Sequence, residues 1–246
     1  STLNIFADAA LVADFETGQV LFEKKARERF PIASITKLMS ALATIETVSR
    51  FKVLTITQDV LDEPGDSAGL IEGEKFQTED LLYPLILSSS NSVAKLFEKT
   101  SFGLVKTMNQ KAESIGLSHT VFKDASGASP ENVSTAEDLF KLLQFLYANK
   151  KPIFSVSGLR EYALESLNKK KKHVWTNVNW APEDDRFLGG KSGKTPEAGE
   201  VMAGVFKIKF PEFEERSIAI VVLRSGDRAR EVENTITYLT ENFVYG

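Results

Sequence analysis

The sequence predicts an α/β (α+β) fold: one antiparallel sheet assembled from both chain ends, with flanking helices and a helical subdomain inserted in the middle. Two observations carry this. Strand-like segments occur near both termini, and the stretch between them is mainly helical in pattern. The length of 246 residues allows one large domain or two small ones. The strand distribution favours one domain over 1–246, with a sheet part near 1–50 and 186–246 and a helical part near 51–185.

The chain opens as a hairpin, Ala10–Phe15 and Gln19–Glu23 around Glu16-Thr17-Gly18. Ser34 then opens a helix to about Val48. Ile35, Leu38, Met39, Leu42 and Ile45 make it apolar on most faces, as a central buried helix requires. Val53–Thr57 reads as a short strand. Helical runs follow at Thr78–Leu87, Ser92–Lys99 and Leu104–Ile115, the last stopped by Gly116. Ser134-Thr135-Ala136-Glu137 reads as a capping box for a helix to about Ala148. Residues 150–185 look irregular and polar, with four lysines at 169–172 read as a solvated loop. Strands return at Phe187–Gly193, Glu200–Phe210 and Ser217–Arg224. Arg228–Phe243 closes the chain as an amphipathic helix with Val232, Ile236 and Leu239 on one face.

Composition narrows the function. Lys and Arg total 30 against 34 Asp and Glu, net −4, which lacks the basic excess of a nucleic-acid binder. No cysteine excludes disulfides and thiolate chemistry, and two histidines, His119 and His173, leave too few ligands for a His-rich metal site. No metal or cofactor is expected. With two histidines a Ser-His-Asp triad stays open but disfavoured, and a lysine or a carboxylate is the expected catalytic base. No segment reaches the ~20 apolar residues of a membrane span, and Ser1–Phe15 lacks the pattern of a signal peptide.

Three short motifs could carry chemistry. Ser34-Ile35-Thr36-Lys37 puts a hydroxyl and an amine one helical turn apart, so a desolvated lysine can take the serine proton. The spacing alone is common: Ser49/Lys52, Ser92/Lys95 and Ser166/Lys169 share it. Ser34 stands out by opening the most apolar helix. Ser89-Ser90-Asn91 places a hydroxyl and a carboxamide two residues apart after an apolar run. Lys191-Ser192-Gly193 puts a cation, a hydroxyl and a glycine on a strand, suited to a carboxylate and to close approach of a ligand backbone. It is no phosphate loop, because Arg186-Phe187-Leu188-Gly189 precede Gly190 without the required upstream glycine.

In this order, Ser-x-x-Lys, Ser-x-Asn and Lys-Ser-Gly resemble the three signatures of penicillin-binding proteins and serine β-lactamases. The surroundings narrow the match: Val12-Ala13-Asp14 with Thr17–Leu21, Pro31–Ala41, Ser126-Gly127, Ser134–Leu139, and Lys191–Thr195 with Glu197-Ala198-Gly199. Over roughly residues 8 to 225 the chain resembles the low-molecular-mass D-alanyl-D-alanine carboxypeptidases.

The resemblance implies the penicillin-recognising fold, a single catalytic domain and no cofactor. It implies Ser34 as acylated nucleophile, Lys37 as general base, Ser89 as proton relay, Asn91 as clamp on the substrate amide and Lys191 as a source of positive potential. Ser192, Gly193, Lys194 and Thr195 would bind substrate, with the backbone N–H groups of Ser34 and Lys194 as oxyanion hole. Partners would be peptidoglycan peptides, with β-lactams as inhibitors. It also implies export to the cell envelope, with membrane association only through segments outside this chain. Three positions depart from the family pattern: Ser192 replaces threonine, Gly190 replaces an apolar residue, and Ser92 replaces aspartate. Alternatives at this point are a cross-link endopeptidase, a β-lactamase using Glu131, and a silent relative. Asn177 is a weaker candidate for the cleft.

Overall fold

The computed structural model describes residues 3–179, 184–210 and 215–242. Five strands form one antiparallel sheet: β1 (Ala9–Asp14), β2 (Val20–Lys24), β9 (Phe187–Thr195), β10 (Gly199–Lys209) and β11 (Glu215–Ser225), in the order β2-β1-β11-β10-β9. The sheet thus joins the two chain ends, as the strand pattern predicts. Ala9 pairs with Leu223 and Asp14 with Ile218 across that junction.

Alternate side chains of these strands feed two cores, as the two-residue period of a strand dictates. Leu11, Ala13, Val201, Ala203, Val205, Ala219 and Val221 face the inner core. That core is continuous with helices α1 (Thr36–Thr47) and α6 (Ala136–Asn149). Val12, Ile218, Ile220, Val222, Met202 and Phe206 face the other way, against Val232, Ile236 and Leu239 of α8 (Arg228–Asn242). On α8, buried Glu231 accepts from the N–H groups of Phe6 and Ala7 and pins the N-terminal segment.

Between the sheet strands lie α2 (Gln58–Leu61), α3 (Leu82–Ile86), α4 (Asn91–Thr100), α5 (Leu104–Ser114) and α7 (Lys151–Ser157). Short pairs β3 (Phe30–Pro31) with β6 (Val133–Ser134) and β4 (Val53–Thr55) with β5 (Lys75–Gln77) tie this region together. Every residue of α1 from Thr36 to Thr44 is buried, the central helix that its apolar pattern predicts.

Some expectations shift. The cap of α6 is Thr135, whose hydroxyl accepts from Asp138 N–H, one residue later than the predicted box. Ser134 is instead buried against Thr120, hydroxyl to hydroxyl at 2.7 Å. The 150–185 stretch is more regular than its polarity suggests. It holds α7 and a hairpin of β7 (Glu161–Glu165) and β8 (Lys172–Thr176). Its lysines do more than meet solvent: Lys169 and Lys171 donate to the carbonyls of Glu72 and Gly69. Among the described residues, no helix is long and apolar enough to cross a membrane, and no cluster of three metal-ligating side chains occurs.

Candidate active site

Ser34 lies in a 3-10 turn, Ala33–Ile35, that leads directly into α1. Its hydroxyl caps no helix end. Ala33 just before it has φ 46°, a left-handed conformation that costs an alanine on the order of 1 kcal/mol or more. Of the four Ser-x-x-Lys pairs, this is the one whose side chains meet. Lys37 Nζ lies 3.0 Å from Ser34 Oγ, while Lys95 pairs with Glu98 and Lys169 with a backbone carbonyl.

Lys37 is completely buried. Its amine also donates to Asn91 Oδ1 at 2.8 Å and to the Ser126 carbonyl at 2.7 Å. Burial pushes its pKa down to about 7, against the opposing pull of Asp124 and Asp66. The chemistry follows from valence. A neutral amine has two protons and one lone pair. Asn91 and Ser126 take the two protons, so the lone pair is left for the Ser34 hydroxyl.

Asn91 is the first residue of α4, whose cap is Ser90. The loop before it is folded over its side chain. Asn91 Nδ2 donates to the Pro64 carbonyl at 2.7 Å, and the Asp66 carbonyl accepts from Asn91 N–H and Ser90 Oγ. A Cβ on Gly65 would lie 2.3 Å from Asn91 Nδ2, so only glycine lets this loop close. Both ends of the carboxamide are therefore engaged. Ser89 has φ 57°, and its buried Oγ has no hydrogen-bond partner among the described residues.

The loop over Asn91 is itself gripped by the β7–β8 hairpin. Trp175 Nε1 donates to the Ala68 carbonyl at 3.0 Å and Asn168 Nδ2 to Gly73 O at 2.8 Å. His173 Nε2 donates to Glu74 Oε1 at 2.9 Å, with both residues buried. His173 also stacks on Trp175, their rings 5.4 Å apart. His119 is exposed. Asn177 serves the scaffold too, because its side chain donates to the carbonyls of Ser157 and Leu159.

The third motif lies on β9. The glycines divide two tasks that the sequence left together. Gly190, with φ 148°, would place a Cβ 2.2 Å from Ala203 O, and Gly189 would place one 2.9 Å from Phe154 O. Their near neighbours are β10 and α7, not a ligand, which explains why no apolar side chain precedes Lys191. Gly193 approaches the nucleophile: a Cβ there would lie 2.7 Å from Ser34 N and 2.9 Å from Ala33 Cβ.

Lys191 is buried and donates to Ser192 O. Burial, then the charges of Lys37 and Arg228, hold its pKa well below the usual lysine range. Lys191 in isolation is therefore a weaker source of positive potential than the sequence suggests. Ser192 is buried beside it. Lys194 is exposed and paired with Glu200 at 3.0 Å. Thr195 spends its hydroxyl on Ala198 N–H in the β9–β10 turn. Sequence reasoning missed Arg228, the first residue of α8, whose Nη1 lies 3.4 Å from Gly193 O. Its place 35 residues beyond the motif left no local signal.

Comparison with known proteins identifies the family and the fold. The family model of the D-alanyl-D-alanine carboxypeptidases (peptidase S11) matches residues 1–223. A D-alanyl-D-alanine endopeptidase of Pseudomonas aeruginosa is 34% identical over 210 residues, covering 79% of this chain and 65% of that protein. The D-alanyl-D-alanine carboxypeptidase DacF of Bacillus subtilis is 28% identical over 241 residues, covering 93% of this chain and 60% of that protein. The chain thus spans under two thirds of the length of these two relatives. In fold it is similar to the Streptomyces K15 DD-transpeptidase, with TM-score 0.86 at 24% identity over 97% of this chain and 98% of that one. Sheet topology, the joined Ser34–Lys37–Asn91 cluster and the family match lead to one conclusion: the chain belongs to the D-alanyl-D-alanine carboxypeptidase family of serine peptidases.

Proposed function

We propose that this chain is a serine DD-peptidase of the cell envelope that removes the terminal D-alanine from peptidoglycan stem peptides. The observation that carries the reading is the Lys37 amine, buried, with both protons engaged and its free valence on Ser34 Oγ. Lys37 takes the Ser34 proton as Ser34 attacks the penultimate D-alanine carbonyl. The oxyanion is received by the backbone N–H groups of Ser34 and Lys194, where Gly193 brings β9 against the nucleophile. Ser89, with its unpartnered hydroxyl, passes the proton to the leaving amine. Asn91 holds the substrate amide once its Nδ2 exchanges the Pro64 carbonyl for that of the peptide. Lys191, Ser192 and Arg228 receive the terminal carboxylate, whose charge would favour the protonated form of Lys191. Water then hydrolyses the acyl-enzyme and frees Ser34.

Penicillin should acylate Ser34 and leave slowly. Glu131, the one candidate for activating a deacylating water, is exposed, and the groups on Lys37 Nζ are a hydroxyl, an amide oxygen and a carbonyl. A second reading, cleavage of D-alanyl cross-links, uses the same residues and is favoured by the name of the Pseudomonas relative. Product analysis separates the two. A pentapeptide ending in D-alanyl-D-alanine should release free D-alanine. Separation of a cross-linked muropeptide without that release would establish the endopeptidase instead. Inertness towards both, with no penicillin adduct, would refute the peptidase reading altogether.

A further inference from the structure

Two of the contacts on Lys37 come from the motif residues Ser34 and Asn91. The third, the Ser126 carbonyl, comes from a turn built on Asp124. Asp124 Oδ1 accepts from Ser126 N at 2.7 Å, Ser126 Oγ at 2.8 Å and Gly127 N at 2.6 Å. Its Oδ2 accepts from Ser129 N at 2.7 Å and Asn132 Nδ2 at 2.8 Å. Asn132 is fully buried and returns the favour, its Oδ1 accepting from Lys123 N at 2.7 Å.

One carboxylate thus fixes the turn from 126 to 132, and the turn touches the reacting pair twice. The Ser126 carbonyl meets Lys37 Nζ, and Gly127 abuts the Ala33 carbonyl beside Ser34. Charged groups reach Lys37 from three sides. Asp124 and Asp66 lie on the turn and on the loop over Asn91, and Lys191 lies on β9. Burial alone would raise the Asp124 pKa, but its hydrogen bonds hold it below the usual carboxylate range, so it is a permanent charge at neutral pH.

We propose that Asp124 is a positioning residue for the Ser34–Lys37 pair: it fixes the Ser126 carbonyl on the lysine amine, and its charge behind that carbonyl biases the proton that Lys37 carries. The proposal rests on the reading of Lys37 as general base. It makes the Asp124 turn part of the proton-transfer geometry, beyond its role as a loop of the fold.

The test is the rate of penicillin acylation, read by intact mass from pH 5 to 9, with melting temperatures alongside. In Asp124→Asn the loss of a negative charge lowers the Lys37 pKa further. The midpoint of the acid limb should fall by about half a pH unit or more. The plateau rate should fall about tenfold, because the amine loses its guide. The double swap Asp124→Asn with Asn132→Asp returns a carboxylate to the turn and should bring the midpoint back. Asn132→Ala removes one donor but keeps the charge, so its plateau should fall with the midpoint in place. This variant decides the matter if Asp124→Asn does not fold: a wild-type plateau there overturns the proposal. So does a folded Asp124→Asn protein whose midpoint stays put. A wild type acylated no faster than Ser34→Ala would instead overturn the general-base reading, and the proposal with it.

Discussion

Gly127 presses on Ala33: a Cβ at Gly127 would lie 1.9 Å from the Ala33 carbonyl oxygen and 3.0 Å from Ser34 N. Gly127 also has φ 86°, and Ala33 itself is left-handed. The nucleophile's turn is thus held in an unfavourable conformation by a neighbour that only glycine permits. Gly127→Ala should destabilise the fold by more than about 2 kcal/mol, through overpacking and backbone strain together. Denaturant unfolding measures this, and an unchanged midpoint would contradict the contact.

The Lys37 amine should govern acylation by its protonation state. Its pKa is lowered from 10.5 to about 7, so the neutral, proton-accepting form grows as pH rises through 7 and is lost below it. The penicillin acylation rate should therefore rise with a midpoint near pH 7 and show no second rise near 10. A midpoint near 10 would mean that burial does not tune this lysine.

Lys37→Met keeps the length of the side chain and removes the base. Acylation should drop by about 10²–10⁴-fold. Ser34→Ala should give no adduct at all by mass. Retained acylation in Lys37→Met would point to another base.

Gly193→Ala tests the approach of β9 to the nucleophile. The new Cβ would fall 2.7 Å from Ser34 N, against backbone that cannot swing away. A displaced oxyanion site should cost about 10²–10³ in acylation rate at temperatures well below melting. A fully active variant would move the oxyanion site elsewhere.

The buried pair of His173 and Glu74 makes a fifth prediction. His173→Phe leaves Glu74 buried with Ile71 N–H as a remaining donor at 2.9 Å. Leaving a buried acceptor without its hydrogen-bond partner in this way costs about 1–3 kcal/mol. The loop that carries Pro64 and Asp66 should loosen with it, so acylation should fall as well. Thermal melting and acylation are read on the same sample, and no change in either would show the pair to be idle.

Much of this architecture was legible in the residues. Ser34, Lys37, Asn91 and Lys191 are recognisable because their chemistry depends on residue type at short spacing. The all-round apolar pattern of α1 likewise announces its central place. What stayed hidden depends on long-range contact. Arg228 reaches Gly193 from the last helix, and the partners of Lys37 beyond its own turn lie 54 and 89 residues away. The β7–β8 hairpin escaped because each strand is only five residues long, with charged or small polar residues at its two ends and an apolar residue, Ala163 or Val174, at its middle exposed position. Short alternation of that kind looks like a polar loop. Nothing local announces what the glycines before Lys191 make room for: β10 packs over Gly190, and α7, itself unseen in the sequence, over Gly189.

The hairpin's hold on the loop over Asn91 falls largely on main-chain oxygens: those of Ala68, Gly69, Glu72 and Gly73. Pro64 and Asp66 likewise serve the site through their carbonyls. A peptide oxygen is common to all residue types. Apart from Gly65, Asp66, Gly69, Gly73, Glu74 and buried Leu70, the loop's side chains are therefore free to vary while its path is kept. Selection can rewrite the rim of the cleft here, changing what is admitted, without touching the proton chemistry beneath it.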